Sequence, residues 1–366
     1  MKIHLGSVNI TEKTKQLLNE ALDSGIVSQG KYTRDFEVEI ERRFDVKHAR
    51  AVASGTAADS VVLAVAKYLS PGRDEVILPA LTFIAHLNAV YYNHLKPVFV
   101  DVGPDFQIDV SQVEAKITSR TLAIMPVNLL GGFCDIDRVI AIARKHDIWA
   151  LTDDCEAFGS KYNGKAAGTI ADAGTFSFFA SHTICCGEGG MVVTNNDRIA
   201  ELAVAIRNHG RKGDRVEDKF TFPWIGFNAK MNSMEAIVGL GALDHLDAYI
   251  ERRRKNYRML RDGLGVDLLP DANGAKIAHH CFPILFKSRE MRDRILAAIF
   301  ETGIECRRLY SSLPTEEESY RPLGYKHGDF PVAEDLSGRG LFLPIHQNLT
   351  DEDIEYMISA IQPLLL

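Results

Sequence analysis

The chain has 366 residues, room for one large domain and one smaller one at about 100–200 residues each. Its composition, 46% hydrophobic and 25% charged with 28 Gly and 13 Pro, excludes collagen-like, low-complexity and mostly disordered chains. With 42 Lys and Arg against 49 Asp and Glu the net charge is −7, which argues against a broad cationic surface for nucleic acid and leaves small anionic ligands open.

Short β-branched runs alternate with helix-length amphipathic segments through the first 200 residues. ARAVA (49–53), EVILP (75–79), PVFVD (97–101), TLAIMPV (121–127), IWALTDD (148–154) and GMVVTNN (190–196) read as strands, with helices at Ala57–Leu69, Asp135–His146 and Asp197–His209. Such alternation predicts an α/β fold: a mostly parallel sheet with crossover helices and a ligand at the carboxyl ends of the strands. After GFNAKMNSMEA (226–236) a long helical stretch runs to about Leu264, followed by a break at Pro270–Gly274. CFPILF (281–286), Glu290–Thr302 and Asp351–Leu365 then suggest a smaller α+β domain, giving a division into residues 1–248 and 249–366.

Six cysteines without a short repeating spacing fit a reducing compartment. The N-terminus turns polar before any apolar stretch of signal length, and no run reaches the ~20 apolar residues of a membrane span, so a soluble cytoplasmic protein is expected.

Three segments offer chemistry. SGTAA (54–58) is a Gly-containing turn into a helix, where free N–H groups and the helix dipole favour a phosphate, although Ser54 also suits a simple N-cap. IWALTDDCEAFG (148–159) ends a strand in Asp153 and Asp154, one of which would face a cationic ring nitrogen if it does not merely cap a helix. GTFSFFASHTICCGEGGMVVTN (174–195) is a strand, an irregular loop holding His182, a Gly-rich turn and a second strand.

These segments, with PALTFIA (79–85), RNHG (207–210), GFNAKM (226–231) and LFLPIHQ (341–347), occur in an order that resembles the sugar-aminotransferase family of fold-type-I pyridoxal-phosphate (PLP) enzymes, over nearly the whole chain. The resemblance implies a seven-stranded α/β domain plus a small C-terminal domain, PLP or its amine form pyridoxamine phosphate (PMP) as cofactor, and a homodimer with shared sites. It implies that Gly55, Thr56 and Ser177 hold the cofactor phosphate and that Asn228 reaches it from the partner subunit. Phe83 matches the residue stacked on the pyridine ring and Asp153 the carboxylate that keeps its nitrogen protonated. Glu156 stands where these aminotransferases usually have Gln.

The departure is at position 182. The family places Lys five residues before the first Gly of GEGG, and this chain has His182 there. Imidazole cannot form the covalent link to the cofactor aldehyde that a lysine amine forms, but it moves protons near neutral pH. That substitution, with GIECR (303–307) and HQ (346–347), resembles the PLP-dependent 3-dehydratases that make 3,6-dideoxy sugars, notably those acting on GDP-4-keto-6-deoxy-mannose. The expectation is a lyase that removes the C3 hydroxyl of a nucleotide-linked 4-keto-6-deoxy hexose, with L-glutamate as amino donor and His182 as base. A sugar aminotransferase and a non-catalytic homologue are the rivals. The iron–sulfur ligand set of a related CDP-sugar dehydratase is missing, because no Cys lies between Cys186 and Cys281.

Arg307 is a candidate for a nucleotide phosphate or the glutamate carboxylate, and His209 and His346 are weaker substrate candidates. Cys185 and Cys186 suit packing. No metal site is expected, because His279, His280 and Cys281 would point alternately to opposite sides of a strand. The Arg252–Lys255 run is expected to be a solvated helix face.

Overall fold

The computed structural model describes residues 2–213, 215–271, 274–310 and 313–365. Its strands are β1 (His48–Val52), β2 (Glu75–Pro79), β3 (Lys96–Val100), β4 (Thr121–Ile124), β5 (Trp149–Asp153), β6 (Lys161–Tyr162), β7 (Lys165–Ala166), β8 (Ala173–Ser177), β9 (Gly190–Thr194), β10 (Ala275–Lys276), β11 (Phe282–Leu285), β12 (Arg307–Arg308) and β13 (Gly340–Leu343). Seven of them form the main sheet in the order β1-β9-β8-β5-β4-β2-β3. All neighbouring pairs are parallel except those of β9, which runs against both β1 and β8. Every residue of β2, β4, β8 and β9 is buried, as a sheet covered on both faces requires.

The expected strands and helices fall within a few residues of the observed ones. The long stretch after residue 232 is two helices, Ser233–Leu243 and Leu246–Leu264, parted at Asp244 and His245. The first is buried on nearly all sides, and its Gly239 and Gly241 admit Phe36 and Thr14 so closely that an added Cβ would collide with either. The second carries one apolar stripe, so a single continuous helix would have to place two different faces against the core.

The division expected at 248/249 falls in the first turn of the helix Leu246–Leu264. Beyond it, β11, β13 and β12 make a small antiparallel sheet beside the helices Arg289–Glu301, Pro331–Arg339 and Asp351–Leu365. Among the described residues, strand pairing crosses that division where β10 pairs with β6 and where Ile3 bridges to Ile304. Residues 272 and 273, inside the expected break at Pro270–Gly274, lie outside the described residues. No helix among the described residues is long and apolar enough to cross a membrane.

The fold positions the site by convergence. The carboxyl ends of β5 and β8 meet the N-terminus of the buried helix Gly55–Leu69, at the edge the alternating pattern predicts. Beneath them Phe158 packs edge-on to Phe176 and Phe178, with ring centroids 5.0 and 5.4 Å apart. Such pairs add about 0.5–1.5 kcal/mol each beyond area burial and fix the floor under the loop that follows β8.

Candidate active site

Ser54 caps the helix Gly55–Leu69, its hydroxyl accepting from Ala57 N–H at 3.1 Å and its carbonyl from Ala58 N–H at 3.0 Å. The N–H groups of Gly55 and Thr56 come before the first intrahelical bond and are left for a ligand. Gly55 has no room for a side chain: a Cβ would lie 2.7 Å from Ser177 Cβ and 2.9 Å from Cys155 Sγ. The Ser177 hydroxyl at the end of β8 is thereby held against the helix terminus. Gly190 presses on the same turn, where a Cβ would come within 2.2 Å of the Ser54 carbonyl oxygen. The GEGG turn brings main chain up to main chain, as its composition suggests.

Asp153, buried at the end of β5, accepts from Cys155 N–H at 3.0 Å. Asp59 lies beside it and accepts from Thr175 Oγ1 at 2.6 Å. Burial, and then the neighbouring Asp153 charge, push the Asp59 carboxyl well up. Asp154 points elsewhere, bonded to Thr152 and Asn128 at 2.5 Å each, a structural role. Two aspartates that looked equivalent in sequence are separated by the pleat. Phe83, at the start of the helix Ile84–Tyr92, is 60% exposed and faces the Tyr310 ring at 6.5 Å. Its open face is what a stacked aromatic ligand needs.

Glu156 is held by Leu130 N–H at 2.6 Å and by the Tyr310 hydroxyl at 3.4 Å. Burial raises its carboxyl to about 7. Protonated, it offers an O–H where an amide side chain would offer N–H.

His182 sits in the loop between Phe178 and Gly189. Phe178 closes both ends of that loop, its carbonyl accepting from Cys186 N–H at 2.8 Å and its N–H donating to Gly189 at 2.9 Å. Burial, and secondarily the Arg253 charge, hold the imidazole down at about 3, so it is neutral at working pH. Its Nδ1 is buried without a partner among the described residues. Of the lysines flanking this loop, Lys161 and Lys165 are exposed on β6 and β7, and Lys212 pairs with Asp218 at 2.8 Å.

The outlying candidates divide. Asn228 and His209 are exposed and adjacent in space, His209 N–H donating to the Phe227 carbonyl at 3.1 Å. In the segment before Asn228, Val216, Phe220, Phe222 and Ile225 are all exposed apolar side chains. Arg307 is exposed on β12. His346 is buried, its Nε2 within 3.1 Å of the His4 carbonyl oxygen, which is an anchor for the N-terminal segment.

Two residues to which the sequence assigned no part in the site lie beside His182. His280 puts its ring 4.9 Å from that of His182, while the preceding His279 stacks flat on Tyr257 at 3.7 Å. Arg253 corrects the expectation of a solvated Arg252–Lys255 face: it is 1% exposed. The signal was there, since Leu246, Ile250, Arg253, Tyr257 and Leu260 follow the helical apolar spacing. The other three meet the surface, Arg252 and Lys255 pairing with Asp351 and Arg254 with Asp271.

A helix terminus with free N–H groups, a buried carboxylate and an open aromatic face at the carboxyl edge of a mostly parallel sheet are the arrangement of a fold-type-I PLP enzyme. The chain belongs to the DegT/DnrJ/EryC1/StrS aminotransferase family, whose profile matches residues 8–362. It is similar to a GDP-perosamine synthase of Escherichia coli O157:H7, 36% identical over 361 residues and covering 96% of each chain. A GDP-4-keto-6-deoxy-D-mannose 3-dehydratase of Yersinia pseudotuberculosis is 28% identical over 383 residues, covering 98% of each. Among solved structures, a Streptococcus pneumoniae protein described as a sugar aminotransferase superposes with a TM-score of 0.92 at 26% identity in its PLP form, over 100% of this chain and 98% of that one. Its PMP form superposes equally well, and the family is PLP-dependent.

Proposed function

We propose that this enzyme is a PLP-dependent 3-dehydratase of a nucleotide-linked 4-keto-6-deoxy hexose, with L-glutamate as amino donor. One observation carries the reading: a neutral, enclosed imidazole stands at position 182, where the family has its lysine amine.

The residues present fit the cofactor. The Gly55 and Thr56 N–H groups and the Ser177 hydroxyl would hold its phosphate, Asp153 would pair with its ring nitrogen, Phe83 would stack on the ring and Glu156 would contact the ring edge. Asn228 and the apolar side chains of the segment before it are exposed because they complete the site of a second copy in a homodimer. Bound PLP supplies an electron sink, and as PMP an amine that reacts with the sugar C4 ketone. Asp153 keeps that sink charged. His182 would accept a proton from the cofactor C4′ carbon in the sugar half-reaction and would carry the proton between glutamate Cα and C4′ in the other. With no amine at position 182, nothing in the loop competes with the substrate for the cofactor. Arg307 and His209 are open to the nucleotide phosphates or the glutamate carboxylate, and His346 acts on substrate only through the N-terminal segment it anchors. The balance is one C3 hydroxyl replaced by hydrogen while glutamate becomes 2-oxoglutarate and ammonia.

The second reading is a nucleotide-sugar aminotransferase, favoured by the higher identity to the GDP-perosamine synthase. Incubation with L-glutamate and a panel of GDP-, CDP-, dTDP- and UDP-linked 4-keto-6-deoxy hexoses separates them. A 3-deoxy-4-keto sugar with free ammonia is expected. An amino sugar retaining its C3 hydroxyl establishes the aminotransferase, and no 2-oxoglutarate at all indicates a non-catalytic homologue.

A further inference from the structure

Arg253 is a buried guanidinium whose hydrogen-bond partners are all uncharged. Its Nε donates to Gln347 Oε1 at 3.2 Å, Nη1 to the carbonyls of His279 and His280 at 3.4 and 3.0 Å, and Nη2 to those of Ser181 and His182 at 3.2 and 3.0 Å. No carboxylate among the described residues forms an ion pair with it, and burial lowers the guanidinium to about 10. Burying an unpaired charge is costly, and a methionine of similar length would fill the same space without that cost. Its retention is explained by what it joins: the two segments that carry His182 and His280, and the chain just after β13, all clasped from the helix Leu246–Leu264.

We infer that Arg253 is the positioning residue of the His182 site, its planar fork fixing the backbones of the His182 and His280 segments and its charge standing beside the His182 imidazole. The inference rests on the reading of His182 as the base. The groups facing His182 are Arg253 from the helix and His280 from the segment before β11; Glu156 stands behind His280, and Cys281 faces Arg253. Lysine in place of Arg253 keeps the charge but not the fork, and methionine removes both, so the two contributions separate.

The test is NMR titration of the His182 imidazole in the cofactor-free chain, alongside glutamate half-reaction kinetics of the loaded enzyme, for R253K and R253M. In R253M the midpoint of His182 is expected to rise by about one pH unit. In R253K it stays low, while kcat falls at least about tenfold with little change in KM, because a displaced base costs rate rather than binding. A wild-type kcat in R253K, or a wild-type His182 titration in R253M, overturns the inference; should R253M not fold, R253K alone decides. His182→Asn is scored separately: if it retains the glutamate half-reaction, the reading of His182 as base fails, while the titrations still judge Arg253.

Discussion

The imidazole rings of His182 and His280 lie 4.9 Å apart, tilted by 42°. Two imidazoles so close in a dry pocket cannot both be charged, and burial, each other and Arg253 drive His280 well below the usual range. On its far side His280 Nε2 is 4.0 Å from Glu156 Oε1. Two imidazoles and a carboxyl that burial raises to about 7 are thus packed side by side.

Replacing His182 with lysine restores the amine and should change what the enzyme does. His182→Lys is expected to hold the cofactor through a covalent bond that borohydride makes permanent, read as a mass increase on the peptide containing position 182. Deoxygenation should drop by at least about a hundredfold, the lower end of what general base catalysis contributes. Unchanged deoxygenation in that variant would sink the assignment of His182 as base.

Glu156 is expected to shape the pH profile. Its carboxyl, raised to about 7 by burial, is a donor below that pH and an anion above it. If the donor form serves the cofactor ring, 2-oxoglutarate formation falls as pH rises through about 7 in the wild type. In Glu156→Gln, which keeps a donor at all pH values, this limb disappears. The same alkaline limb in both proteins would show that another group titrates.

Acid should destabilise the fold through its histidines. His182, His279 and His346 are held at about 3, 3 and 4, each chiefly by burial, below the 6.5 of an unfolded chain. Their contribution is complete above pH 6.5 and is lost as pH falls toward those values, because the unfolded chain takes up the protons first. At pH 5.5 each costs about 1.4 kcal/mol relative to pH 8. Melting temperature measured against pH should fall below 6.5, and His279→Phe should shallow the slope.

Gly190 tests the cradle without touching a titrating group. An alanine there would push its Cβ to 2.2 Å from the Ser54 carbonyl oxygen and 2.8 Å from Gly55 N. Both neighbours are backbone, so the turn itself must move. Gly190→Ala is expected to cost roughly 1–3 kcal/mol in urea unfolding and to release PLP on gel filtration. Full PLP retention would mean that the turn is not the phosphate site.

Much of this was legible in the sequence because local pattern dictated it. Strands buried on both faces read as apolar runs, and Gly55, Asp153 and Ser177 sit at strand or helix ends that the alternation places at one edge. The rest depended on contacts between distant segments. His280 reaches His182 only because the chain bends after β10, and Tyr310 meets Glu156 across 154 positions, neither with any local signature. Arg253 was different: its place in the apolar stripe was visible, but four adjacent basic residues read as a surface. The helix break at 244–245 was hidden by an unbroken helical pattern on both sides.

Because β9 opposes β8, the connection between them doubles back on Phe178 rather than crossing the sheet, and both its ends are anchored at that one residue. Position 182 is therefore carried on a closed hairpin tip, outside the register of any strand. An ancestral family could exchange the group presented there and alter the fate of the sugar while every anchoring contact below survived, so that divergence of reaction outruns divergence of architecture.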